Sequence, residues 1–534
     1  MSTFLCTNGR IWTGTDRMAS SILVQAGRIV SLDPGQVPPN VLTIDLAGKF
    51  VMPSFADGHA HPLFAGREMQ GPQVTELFSV EETLNNLKIY ADAHPDDLWI
   101  VGGAYDAALA PSGNFDAHWI DSVVPDRPVL LHAMDHHTIW VNSKALEIAG
   151  IAGVKEELKV GYIERRPDGT PLGTLREWDA IGLVTKHLPP RNIEDDIQAI
   201  EYASEKYAQS GVTWVQDAWI DPGMSEAYIE AAKTGRLKIG YNLAFRADPN
   251  TWQEDREYIL QQRTIIESLP ADHNLTAFTI KFFADGVIEG GTAGMLEEYC
   301  DNPGYLGMPV WDLDNLINAV TEFDRLGFQI FIHAIGDGGV RNSLDAVEHA
   351  QKVNPKRERR HVITHLQLVD PRDLPRLKSL GVIANFEPLW TKLDPMQMVL
   401  SVPRLGEERA ARQYQMRSIL DLGVPLSFGS DWPVTSEIPL EGLAVAVHRQ
   451  MPDRTPEGGW VPEERITIPE ALSAYTSGVA YQAFEEQSFG KLLPGFSADM
   501  IVLDQDPRSM DPHDVGEMTV VSTYRQGIKI YQQD

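Results

Sequence analysis

Residues 328–369 read FQIFIHAIGDGGVRNSLDAVEHAQKVNPKRERRHVITHLQLV. Two apolar runs, 328–337 and 361–369, flank a stretch, 339–353, whose apolar residues recur at helical spacing. A near-continuous apolar run is a strand buried on both faces, and two such strands joined by an amphipathic helix make a parallel β/α unit. The same alternation extends outward in both directions. Upstream lie FVMPSFADGHAHP (50–62), GVTWVQDAW (211–219), KIGYNLAFR (238–246) and LTAFTIKFFADG (275–286); downstream lie GVIANFEPLW (381–390) and VPLSFGSDWPV (424–434). Helical periodicity separates most of them, at 193–210, 313–327 and 407–423. Eight runs predict an α/β chain with a (β/α)₈ barrel, since doubly wound open sheets more often hold fewer strands.

The two ends differ from the middle. Residues 3–46 and the tail (SADMIVLDQD, MTVVSTYRQGIKIYQ) show short strands of period two with glycines where turns are needed. Neither end can bury a core alone, so residues 1–51 and 490–534 are expected to form one composite β-sandwich, with the barrel domain spanning 52–489. Residues from about 65 to 190 exceed any ordinary loop between a strand and its helix, and are expected to form an inserted subdomain that covers the barrel mouth.

Composition narrows the class. At 534 residues, 43% hydrophobic and 22% charged, the chain is globular rather than disordered. Its two cysteines exclude a disulfide scaffold or a cysteine-based zinc ribbon. The formal net charge of −30 disfavours nucleic acid, and no run of ~18 uncharged apolar residues suggests a membrane span. A cytoplasmic protein, by default a homodimer, is the expectation.

In such a barrel the chemistry sits at the carboxyl ends of the strands. There the sequence places His59 and His61, Lys281, His333, His365 and Asp431. His59 and His61 are two apart on a strand, so they share a face and are spaced to chelate one metal. Lys281 lies inside an apolar run, where an ammonium is costly. Either it pairs with Asp285 or Asp431, or it is a neutral amine able to take up carbon dioxide as a carbamate. His333 and His365 end successive strands, and Asp431 ends the last, beside the first in a closed barrel. A carboxylate there can ligate a metal and move a proton.

The stretches ADGHAHP, DHHTIWVNSKAL, GYIERRPDGTPLGTLRE, TIKFFADGVIEGGTA, HAIGDGG, HVITHLQ, FGSDWPV and GKLLPGFSADMIVLD resemble the amidohydrolase superfamily, in its family 3 branch that includes N-substituted formamide deformylases. The resemblance implies a hydrolase with one or two divalent metals, most often zinc. His59 and His61 would hold the first ion and His333 and His365 the second. Lys281, as a carbamate, would bridge them, and Asp431 would ligate the first ion and act as general base and acid. One departure stands out: Thr364 precedes His365 where the family usually has Glu. His137 and Asn142 of the insert match family positions and are candidates for substrate binding. So are Asp285 and the aromatic residues Trp390 and Trp432 at strand ends; packing or capping is the alternative for each.

The expected substrate is a small amide, an N-substituted formamide or N-acyl amine. A deaminase, an ester or lactone hydrolase, or a metal-assisted isomerase on the same scaffold remains open, as does a non-catalytic binding protein, which the intact ligand set argues against.

Overall fold

The computed structural model describes residues 3–75, 77–154, 158–270 and 273–533. Eight parallel strands form one sheet in chain order: β1 (Phe55–Ala60), β2 (Val212–Ile220), β3 (Gly240–Arg246), β4 (Leu275–Phe283), β5 (Gln329–Ala334), β6 (Val362–His365), β7 (Ile383–Phe386) and β8 (Leu426–Phe428). Every residue of β5, β6 and β7 is buried, which is why these strands read as continuous apolar runs instead of alternating ones. The helix Asp337–Val353 between β5 and β6 buries Val340, Leu344, Val347 and Ala350, the stripe the sequence marks out. The helix Leu313–Arg325 before β5 likewise buries Leu316, Val320 and Phe323 and is capped by Asp312, whose carboxylate accepts from two backbone N–H groups.

The sheet curls into a nearly closed barrel. Just beyond β8, Asp431 donates its backbone N–H to His59 O at 2.8 Å, and His61 donates to Trp432 O at 2.8 Å. Asp57 of β1 accepts from both the backbone N–H and the hydroxyl of Ser430. The approach at this seam demands glycine: a Cβ on Gly429 would stand 2.7 Å from three atoms of His59. The seam therefore carries the end of the last strand onto the first, with Asp431 beside His59 and His61.

The stretch 50–62 proves to be two strands, not one. Phe50–Pro53 leaves the barrel and pairs with Met500–Leu503 and Arg10–Trp12 in a six-stranded sheet, and β1 starts after Ser54. That sheet and a four-stranded one from residues 4–45 share a core that includes Phe4, Ile22, Val51, Met500 and Tyr524. The helical run 407–423 is also divided, into Val402–Ala410 and Met416–Asp421. Between them Tyr414 turns into the left-handed region (φ 54°), and its N–H reaches Gln367 O beyond β6. A tertiary hydrogen bond overrides the helical periodicity there.

Between β1 and β2 stands a five-stranded sheet, in the order Tyr162–Arg165, Pro171–Arg176, Thr138–Val141, Val129–Ala133, Ile100–Tyr105. It has apolar clusters of its own, one around Phe115 and Trp140 and another around Ile139 and Leu175. Among the described residues no helix is long and apolar enough to cross a membrane.

Candidate metal centre

His59 sits at the middle of the barrel mouth. Its Nε2 faces Asp431 Oδ1 at 3.3 Å and Lys281 Nζ at 3.3 Å, while its Nδ1 meets the Thr364 hydroxyl at 2.8 Å. Thr364 Oγ1 also lies 2.8 Å from Asn385 Oδ1 and 3.0 Å from Glu387 Oε1. His365 places its Nδ1 2.7 Å from Glu387 Oε2. Both imidazoles are thus fixed through Nδ1 by groups from β6 and β7, which leaves each Nε2 as the donor atom. Ligand atoms of His59, His365 and Asp431 all lie within 4.8 Å of one another. His61 Nε2 stands 2.9 Å from Asp431 Oδ1, and the His333 ring packs 4.5 Å from that of His365.

The protonation states suit a cation. Burial, then the Lys281 charge, holds His59 well below its usual pKa; burial, then His365, does the same to His333, and burial also lowers His61. Burial works against ionisation of Asp431, yet the surrounding His59 and His61 hold its carboxyl well below the usual carboxylate range. Neutral imidazoles and an ionised carboxylate are the forms that bind metal. Asp431 Oδ1 is buried and makes no hydrogen bond of good geometry although two imidazoles face it, and His61 Nδ1 is a buried orphan too. A divalent ion satisfies this donor set. Lys281 is fully buried and desolvation lowers its pKa to about 7. It has no ion pair with Asp285; its neighbours are His59 and the faces of Phe283 and Phe331.

The candidate substrate contacts divide sharply. His137 reaches the mouth: its ring lies 5.3 Å from that of His333 and 4.9 Å from Trp178, with Nδ1 2.9 Å from Glu177 Oε2. Burial opposes its charge, but Glu177, Asp135 and Asp431 together outweigh burial and the pKa is raised. Trp390 also belongs to the site, stacked on the His365 ring at 5.1 Å and 6°. Asn142 does not. It caps the helix Ser143–Ile148 by accepting from Ala145 N, and the rest of its amide is spent on Val129 N, Val124 O and Arg127 O. Asp285 is likewise internal, its carboxyl accepting from the N–H groups of Gly294, Ile335 and Gly336. Trp432 packs edge-on against Tyr207 of the helix Ile193–Gln209, outside the donor cluster.

Two carboxylates escaped the sequence reading. Glu387 ends the apolar run of β7 just as Asp431 ends that of β8, so the same rule would have found it. Glu177 opens a helix in the insert and gives no such signal; only the fold brings it to His137.

A barrel with histidines and a carboxylate converging at the carboxyl ends of its strands defines a metal-dependent hydrolase. The model of the amidohydrolase family matches residues 42–531, and the chain belongs to that family, in its family 3 branch. It is 31% identical to Protein LONG AFTER FAR-RED 3 of Arabidopsis thaliana, over 99% of this chain and 91% of that protein. To the N-substituted formamide deformylase of Arthrobacter pascens it is 25% identical, over 98% and 97% of the two chains. The crystal structure of an uncharacterized metal-dependent hydrolase from Pyrococcus furiosus superposes with a TM-score of 0.73 at 26% identity, covering 95% of this chain and all of that one.

Proposed function

We propose that the chain hydrolyses an amide-type C–N bond of a small molecule, an N-substituted formamide or an N-acyl amine. The observation that carries this reading is the convergence of buried ligand atoms of His59, His365 and Asp431 within 4.8 Å of one another. Zinc is the expected ion. In this reading His59, His61 and Asp431 hold one ion and His333 and His365 a second. Lys281, whose pKa burial lowers to about 7, is in part a free amine near neutral pH and could add to carbon dioxide: its nitrogen bonds the carbon, one N–H proton leaves, and the resulting carbamate would be a further carboxylate ligand. When bound, a divalent ion would supply an activated water and Lewis-acid polarisation of the substrate carbonyl. Asp431 takes the proton from the attacking water and hands it to the departing amine. The insert would frame this mouth, with residues 1–51 and 490–534, read as one composite sandwich, apart from it. The sequence likeness to a formamide deformylase supports the substrate class.

The test is metal content by mass spectrometry, with and without Lys281→Ala, followed by formate release from N-alkyl formamides. About two ions per chain, fewer in the variant, with formate as product, support the reading. One ion in both proteins keeps the hydrolase and makes Lys281 structural. No formate from these substrates, with ammonia released instead from amino-substituted heterocycles, moves the chain to the deaminases.

A further inference from the structure

The insert contributes a carboxylate–imidazole pair that no step above uses. His137 stands in the turn between Val129–Ala133 and Thr138–Val141, and Glu177 opens the helix Glu177–Thr185. Glu177 Oε2 is 2.9 Å from His137 Nδ1, and its Oε1 accepts from the Thr292 hydroxyl at 2.5 Å. The backbone closes the same pair, with Glu177 N–H donating to His137 O at 2.8 Å. Thr292 belongs to the loop after β4, so Glu177 ties the insert to the barrel. The space for that tie is kept by Gly286, where a Cβ would stand 2.4 Å from Glu177 Oε1 and 2.2 Å from Thr292 Oγ1. Gly286 O in turn lies 3.2 Å from His333 Nε2.

Glu177 is 1% exposed and held at φ 60°, a left-handed conformation costly for a residue with a Cβ. Asp431 (φ 55°) and His365 (φ 73°) carry the same strain at the same mouth. Strain of this kind persists only where the surroundings enforce it, and at Glu177 the enforcing contacts are His137 and Thr292. With Nδ1 engaged by Glu177, His137 presents Nε2, which makes no hydrogen bond among the described residues, beside the His333 ring.

We infer that Glu177 is a positioning residue of the hydrolytic reaction: through Nδ1 it aims His137 Nε2 at the nitrogen of the scissile bond, and Thr292 fixes Glu177 for that task. The inference rests on the amide-hydrolase reading and adds the insert to the reacting centre. The hydrogen bond from His137 strengthens as the C–N bond breaks and its electron pair collects on nitrogen, so it matters most for poor leaving groups.

The experiment compares an N-alkyl formamide with an aryl formate ester, whose phenolate leaves unaided. His137→Gln should lower kcat on the formamide by ~100-fold or more and on the ester by less than ~10-fold, with KM little changed. Glu177→Gln should show the same pattern at smaller size, and adding it to His137→Gln should cost nothing further, because it acts through His137. Metal content and melting temperature of each variant are measured alongside. Equal losses on both substrates, no loss, or additive losses in the double variant overturn the inference while leaving the hydrolase reading intact. A wild-type protein fully loaded with metal and inert on both substrates overturns that reading and this inference with it.

Discussion

The barrel rim and the inserted sheet bring imidazoles to the same mouth but fix them by different means. At the rim, His59 and His365 are pinned by Thr364, Asn385 and Glu387, which come from neighbouring strands whose backbones are already locked in one ladder. In the insert, His137 is pinned by a carboxylate from a strained helix start, and the sheet behind it rests on cores of its own. The rim is held by the barrel ladder itself; the insert is fastened by the Glu177–Thr292 hydrogen bond and by Trp178, which packs on Trp219 and Phe283 of the barrel. The difference separates a fixed reacting centre from an attached wall that can diverge without disturbing the donor atoms.

The comparison breaks first at Asp431. Asp431→Asn keeps the shape but removes the charge and the proton acceptor, and should cost ~10³-fold or more in kcat with the fold retained by circular dichroism. Activity within a few-fold of wild type would remove the rim carboxylate from the reaction. Next come the groups behind the rim. Glu387→Gln and Thr364→Val loosen His365 and His59 without touching the ligand atoms, and each should weaken metal affinity by ~10–100-fold in a chelator competition. An unchanged affinity would mean the rim does not need its second layer.

For the insert, Asn142→Ala should lower stability by about 1–2 kcal/mol in chemical denaturation, through a lost cap and stranded backbone groups, with kcat unchanged. A fall in kcat at full stability would return Asn142 to the site. The last test falls on Asp217 of β2, a buried carboxyl outside the donor cluster. Burial pushes its pKa up from 3.8 to about 7, while Tyr228 donates to it at 2.5 Å. A folded-state pKa above the unfolded one means the native chain holds the extra proton between these values. That contribution to stability is complete below 3.8 and fades as pH rises through about 7. Asp217→Asn should therefore gain in melting temperature relative to wild type as pH rises from about 4 to 8. Parallel curves would show that this carboxyl ionises in the fold without penalty.

Much of the rim was legible because two local rules suffice for it: buried parallel strands read as apolar runs, and polar residues that end them face the mouth. His59, His61, His333, His365 and Asp431 follow from those rules, and Lys281 from the cost of a charge inside an apolar run. The boundary at Ser54 was not legible, since Phe50–Pro53 and β1 are equally apolar and only their pairing partners differ. The split at Tyr414 depends on Gln367, and the roles of Asn142 and Asp285 depend on backbone N–H groups far along the chain. Glu177 stands 40 residues from His137 and its purpose exists only in three dimensions. Thr364, noted only as a departure from the family pattern, became intelligible once Asn385 and Glu387 stood beside it.

The seam between the first and last strands has a consequence for biosynthesis. Asp57 and Ser430, which meet there, are 373 residues apart in the chain. At the ~5–20 residues per second of ribosomal synthesis, roughly 20 to 75 seconds pass between the emergence of the first histidines and that of Asp431. Through that interval the nascent chain gains donors one by one from His59 to His365 but still lacks Asp431. A product that stops before residue 431 therefore leaves the donor cluster incomplete.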